Sequence, residues 1–135
     1  MEIFTSYYGN LKKLRENNII PVGISRGIPK WFNGNNLQYL APTYAVLSLK
    51  TIEEYTPAYI KLLERFDIDR FRADLSIISK NEGWKDIALL CYEKPGDFCH
   101  RRLFAEWFKE KAGYDIKEFG YTEKKEPDVV QGSLF

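Results

Sequence analysis

The chain has 135 residues, enough for one domain, and its 44% hydrophobic and 16% aromatic content is ample for a packed core. Twenty basic residues against nineteen acidic ones leave a formal charge of +1, which excludes a broadly cationic nucleic-acid binder and confines any such role to a local patch. No stretch is apolar enough to cross a bilayer, and two cysteines behind a start without signal-peptide character predict reduced thiols in the cytoplasm and no membrane partner.

Glu2–Tyr8 reads as a first strand, and Gly9-Asn10 as the turn after it. Asn10–Asn17 follows as a short helix with Leu11 and Leu14 facing inward. Ile19-Ile20-Pro21-Val22-Gly23-Ile24 is a second buried strand, and a Gly, Pro and Asn-rich loop runs from Ser25 to Asn36. Between Tyr39 and Leu49 the pattern is ambiguous, with Tyr44–Leu49 readable as a strand or a helical turn.

Thr51–Phe66 has the spacing of an amphipathic helix through Ile52, Tyr55, Tyr59, Leu62, Leu63 and Phe66. Pro57 interrupts it, so a start at Thr56 with Pro57 in the first helical position is equally consistent. Asp69–Lys80 is the next helix, ending before Gly83. A third strand spans Asp86–Tyr92, a helix runs from Cys99 to Ala112 with Gly113 as its stop signal, and Asp115–Phe119 is a last strand. Strands alternating with helices predict a three-layer α/β fold: a largely parallel sheet with helices on both faces, in a single domain over residues 1–121. Residues 122–135 open on a charged, proline-interrupted run with the composition of a flexible tail.

The chemistry concentrates between the third strand and the helix after it, where Cys91, Glu93, Cys99, His100, Arg101 and Arg102 fall around a Pro-Gly loop. Open α/β sheets bind ligands at strand carboxyl ends, and a helix start favours anions and thiolates. Three readings stand. Cys99 is a thiolate nucleophile with His100 beside it as proton carrier. Alternatively, Cys91, Cys99 and His100 hold zinc, with Glu93 or Asp97 as fourth ligand; the paired Cys-x-x-Cys spacing is lacking, so no metal is expected. In the third, the helix amides with Arg101 or Arg102 hold a phosphate or carboxylate. Against all three stands a plain structural role, in which Cys91 is core, His100 caps its helix and the arginines pair with surface acids.

Carboxyl ends of the first two strands would bring Ser6, Tyr7 and Tyr8, and Ser25 and Arg26, to the same rim. Gly23 and Gly27 would let the backbone approach a ligand closely. Tyr7, Tyr8, Trp31 and Phe32 are candidates to stack a nucleobase, although aromatics in a small domain are more often core.

The block Leu90-Cys91-Tyr92-Glu93…Cys99-His100-Arg101 resembles the signature of the domain of unknown function family 488. Similarity extends upstream through Thr5–Leu14, Val22–Phe32 and Leu40–Tyr44, so it covers most of residues 1–121. The resemblance implies no particular activity. It carries Arg101 over from the Cys-His-Arg element, and Arg26 from an arginine that family members place after an acidic residue. Here Ile24-Ser25 precedes Arg26, the acid is missing, and Glu93 is left as the acid–base candidate of the rim.

At the other end, Gln131-Gly132-Ser133-Leu134-Phe135 is similar to the peptide motif by which bacterial replication proteins bind the ring-shaped sliding clamp. Leu134 and Phe135 would fill an apolar pocket and the Gln131 amide would hydrogen-bond at its edge.

Taken together, these features predict a nucleotide- or DNA-processing enzyme. Cys99, His100, Glu93 and Cys91 would do the chemistry, Ser25, Arg26, Arg101 and Tyr7 would hold the ligand, and the tail would tether the enzyme to the clamp. The alternatives are a non-catalytic nucleotide or nucleic-acid binder, a clamp-binding regulator, and a thiol redox protein using Cys91 and Cys99. No particular cofactor is implied.

Overall fold

The computed structural model describes residues 1–93 and 98–120. Five strands form one all-parallel sheet: β1 (Ile3–Tyr7), β2 (Ile19–Gly23), β3 (Asn35–Asn36), β4 (Asp86–Cys91) and β5 (Lys117–Glu118), in the order β3-β2-β4-β1-β5. The central strand β4 pairs with β1 from Ile3–Ile87 to Tyr7–Cys91 and with β2 from Ile19–Asp86 to Gly23–Leu90. Its run Ile87-Ala88-Leu89-Leu90 is fully buried, as a strand covered on both faces requires.

Helices α1 (Leu11–Glu16), α2 (Tyr44–Leu47), α3 (Ile52–Leu63), α4 (Ile68–Asn81) and α5 (His100–Ala112) complete the layers, unevenly. On one face Ile20, Val22, Ile87 and Leu89 pack against Tyr59 and Leu63 of α3, Phe71 and Leu75 of α4, and Phe104 and Phe108 of α5. On the other, Ala88 and Leu90 join a smaller cluster with Leu14 of α1, Tyr8, Ile19 and Phe32, edged by Phe4, Leu11 and Phe119. The three-layer arrangement expected from the alternating pattern is therefore present, with its heavier side formed by α3, α4 and α5. No helix among the described residues is long and apolar enough to cross a membrane.

Local chemistry explains where the elements begin and end. Thr51 caps α3 by accepting from the Glu54 amide at 3.2 Å, and Asp67 caps α4 by accepting from the Arg70 amide at 3.1 Å. Gly113 closes α5 at φ +73°, a left-handed stop that glycine takes without strain. Pro57 lies inside α3 rather than starting it. It is exposed, so the carbonyl one turn before it, deprived of a donor, can turn to water.

Three sequence expectations need correction. The Ser25–Asn36 loop ends in a two-residue strand, because Asn35 and Asn36 pair in parallel with Val22 and Gly23. The ambiguous stretch resolves into a 3-10 turn at Gln38–Leu40 and the short helix α2, capped by Thr43. The final strand is only two residues long. The tail, with Gln131, Leu134 and Phe135, lies outside the described residues, as does Asp97.

Gly23 was expected to make room for a ligand. It makes room for the protein instead: a Cβ there would meet the Tyr8 hydroxyl at 2.6 Å and Asn36 Oδ1 at 2.7 Å. At Gly27 nothing lies within 4 Å of that position. In urea unfolding, Gly23→Ala should lose about 1–3 kcal/mol through overpacking, while Gly27→Ala should stay within about 0.5 kcal/mol of the parent. Equal losses at both positions would contradict this account of Gly23.

Candidate functional site

Strand β4 delivers Cys91 to the carboxyl rim of the sheet, and the chain returns at Cys99, the residue that precedes α5. Between β2 and β3 the same rim receives Ser25 and Arg26. A cavity of about 350 Å³ opens there, with Ser25, Arg26, Cys91, Glu93, Cys99 and His100 in its wall. Six of the expected site residues are thus gathered around one hollow.

The sulfurs are held asymmetrically. Cys91 Sγ accepts from Arg101 Nη1 at 2.8 Å, and the Cys91 thiol faces Glu93 Oε1 at 3.5 Å. Cys91 and Cys99 are close enough to share a proton, and the two take opposite characters. A hydrogen bond from the Cys91 thiol, reinforced by Arg101 and the amides of Arg101 and Arg102, lowers Cys99 to about 7 despite its burial. The same bond and burial push the Cys91 thiol far up, so it stays protonated. Cys99 Sγ makes no cap bond of complete geometry. The amides near it and the guanidinium still favour a negative sulfur.

His100 is buried, and its Nε2 donates to the Ile24 carbonyl at 2.6 Å with the Tyr59 ring edge-on at 5.7 Å. Burial lowers its pKa, so the ring is neutral near pH 7 and Nδ1 is its basic nitrogen. Tyr55, also in the cavity wall, has its hydroxyl pushed well above the usual phenol value by burial and by Glu93. It therefore acts as a hydrogen-bond donor.

Arg101 is placed differently from expectation. Its guanidinium is buried, the residue being 2% exposed. Nε and Nη2 form a two-point bridge to Glu118, each at 3.0 Å, and Nη1 reaches Cys91 Sγ and the Glu93 carbonyl, the latter at 2.7 Å. With its donors committed to protein acceptors, it organises the sulfurs and does not fit the phosphate-holding role. Tyr7 likewise lies outside the cavity wall, although it pairs in register with Cys91.

Ser25 is fixed from two sides. Tyr8 Oη donates to its Oγ at 3.0 Å, and the Asn36 side chain bonds both its amide and its carbonyl. Burial raises the Tyr8 phenol to about 12. Tyr8 and Phe32 are core residues packed edge-on at 5.2 Å, so neither is open to a stacking base, whereas Trp31 is exposed. Arg26 is half-buried in the wall of the hollow, with Nε donating to the Pro42 carbonyl at 3.1 Å.

Three contributors were not marked as site residues by the sequence. Lys50 and Thr51 enter the wall just ahead of α3, a placement signalled only by the helix start at Thr51. Glu118, the anchor of Arg101, lies on a two-residue strand and is braced by the Thr5 hydroxyl at 2.7 Å; nothing in its local sequence marks it.

Cys91, Glu93 and Cys99 present three ligand atoms within 4.8 Å of one another, a set that could hold a soft metal ion. His100 is not among them, and Arg101 Nη1 against one of the sulfurs opposes a dication, so the donor set fits an anionic sulfur better than a metal.

A parallel open sheet with a paired-thiol centre at its strand ends defines a small α/β protein whose chemistry lies in the β4–α5 junction. The chain belongs to the DUF488 family: the family model described as the active DUF488-N3 subclade (DUF488-N3a) matches residues 8–112. No curated protein and no solved structure matches it. The matched span holds Arg26 and the whole Cys91–Arg101 junction but stops short of Glu118.

Alkylation by iodoacetamide, followed site by site by mass spectrometry, should modify Cys99 with a pH midpoint of about 7 and leave Cys91 protected in the folded protein. Cys91→Ala or Arg101→Met should move that midpoint toward the free-thiol value of about 8.5. Arg101→Met should also cost about 3 kcal/mol, because Glu118 loses its partner. A midpoint indifferent to both changes would remove the proposed cause of Cys99's acidity.

Proposed function

We propose that this protein is a nucleotide- or DNA-processing enzyme in which Cys99 is the nucleophile. The observation that carries this reading is the polarised thiol pair opening into a hollow that also holds a cationic Arg26. The subclade's own designation as active supports catalysis over passive binding.

The hollow is large enough for a nucleoside-sized group, and Arg26 with Lys50 supplies positive charge for a phosphate at its wall. Cys99 Sγ forms a bond to an electron-poor carbon of a base or glycosidic bond. The displaced electron pair moves to a base nitrogen or oxygen, where Tyr55 Oη–H and Arg26 stabilise it. Glu93 and His100 Nδ1 are the proton acceptors that activate water for release of the covalent intermediate. Arg101, Glu118 and Thr5 act at one remove by fixing the sulfurs.

The C-terminal Gln131-Gly132-Ser133-Leu134-Phe135 tethers this domain to the bacterial sliding clamp, a reading supported by the sequence alone. A cytoplasmic location follows from both proposals. The proximity of the two sulfurs favours one competing reading, a thiol redox protein cycling between dithiol and disulfide.

Cys99→Ala should fold and retain nucleotide binding while losing turnover, read as mass-detected change of base or nucleoside in candidate substrates. Cys91→Ala separates the two chemistries, because it should slow a nucleophilic enzyme and abolish a disulfide cycle. For the tether, immobilised clamp should retain intact protein and not a version lacking Gln131–Phe135; equal retention of both would discard the replication context.

A further inference from the structure

We infer that the ligand is a single strand of nucleic acid lying across two cavities that share Arg26. This rests on the nucleotide-processing reading above and specifies its substrate. The second cavity, about 430 Å³, lies beside the first, and Arg26 is in the wall of both. Its remaining polar wall includes Gln38, Tyr39, Arg65, Asp67 and Arg70.

Charge distinguishes this surface from the rest of the molecule. The chain as a whole carries +1. Among the described residues, the walls of the two cavities hold four cations, Arg26, Lys50, Arg65 and Arg70, and two acids, Glu93 and Asp67. Arg65 has no ion-pair partner among the described residues. Arg70 meets Asp74 at 3.8 Å in an exposed pair of little strength, and Asp67 is engaged as the cap of α4.

Aromatic rings alternate with these cations. Arg26 lies 5.7 Å from the ring of Tyr44, which is 75% exposed, and Arg70 lies 5.1 Å from the ring of Tyr39, which is 39% exposed. Tyr39 is held in place by its hydroxyl, which donates to Asp74 Oδ2 at 2.7 Å. Interleaved guanidinium and exposed aromatic groups along a groove are the recognition chemistry of unpaired strands, which offer successive phosphates and stackable base faces.

A mononucleotide would leave half of this surface unused. A strand uses all of it: the reacting nucleotide enters the thiol cavity, its phosphate sits on Arg26, and the next unit lies over Tyr39 against Arg65 and Arg70. A duplex would have to extrude the reacting base from its stack to reach Cys99, a cost that an unpaired strand does not incur.

The test is binding by the full-length protein of fluorescein-labelled oligothymidylate, with thymidine monophosphate as competitor, across a salt series. The oligonucleotide should bind at least about tenfold more tightly than the monophosphate, with affinity falling as salt rises. The Arg65→Ala/Arg70→Ala double variant should lose about tenfold in oligonucleotide affinity and flatten the salt dependence by about one phosphate contact. Its monophosphate binding and the pH midpoint of Cys99 alkylation should not change, and both replaced side chains are exposed, so folding should be preserved. The same series with oligouridylate tells RNA from DNA. If the monophosphate protects Cys99 from alkylation but the oligonucleotide binds no more tightly, or the double variant binds it unchanged, the strand proposal is overturned alone. If neither probe binds, the nucleotide-processing reading goes with it.

Discussion

One buried guanidinium organises the rim of this protein. Arg101 joins the edge strand β5 through Glu118, the central strand β4 through Cys91, and the chain leaving β4 through the Glu93 carbonyl. A charge this deep is tolerable only when its donors are matched, and here a two-point carboxylate bridge and two further acceptors match them. Because the guanidinium also lies against the sulfurs and favours negative charge on the pair, the arrangement that secures the edge strand also bears on the charge the thiols carry. Stability and reactivity are therefore coupled through a single side chain.

The placement of that side chain depends on how α5 is seated. Phe104, Trp107 and Phe108 press its inner face into the same cluster as Phe71 and Phe66, with ring centroids 5.4–5.8 Å apart across the helices. The helix start is thereby carried to the ends of β2 and β4, where His100 ties it to Ile24. Parallel strands put all their carboxyl ends on one edge, so Ser25 and Arg26 arrive beside Cys91 without any dedicated device.

How much of this could be read from the chain depended on the range of the interactions. Strands β2 and β4 stood out because strands buried in a parallel sheet are nearly continuously apolar, β1 stood out by its β-forming residues ahead of Gly9, and α5 stood out between its cysteine start and Gly113. Strands β3 and β5 were missed or overextended because two-residue pairings have no periodicity; they exist where a neighbour supplies partners. The cysteine–histidine junction was legible as a cluster, and Arg26 and Ser25 by their position after a strand. Arg101 was visible as a residue but not as a role, since its direction is set by Glu118, seventeen residues on in a segment without any motif. Gly23 misled in the same way: its open space belongs to Tyr8 and Asn36, a fact no local pattern encodes.

The imidazole of His100 has a consequence for acid tolerance. In the fold its Nε2 is committed to a backbone carbonyl and burial disfavours the cation, so its affinity for protons falls below the ordinary value of 6.5. An unfolded chain takes up a proton at this ring near 6.5, where the native state refuses it, so acidification through that window draws molecules toward the unfolded form. The contact that fixes the start of α5 against β2 is thus also a weak point on the acidic side of neutrality, and it loosens the wall of the hollow where the thiolate resides.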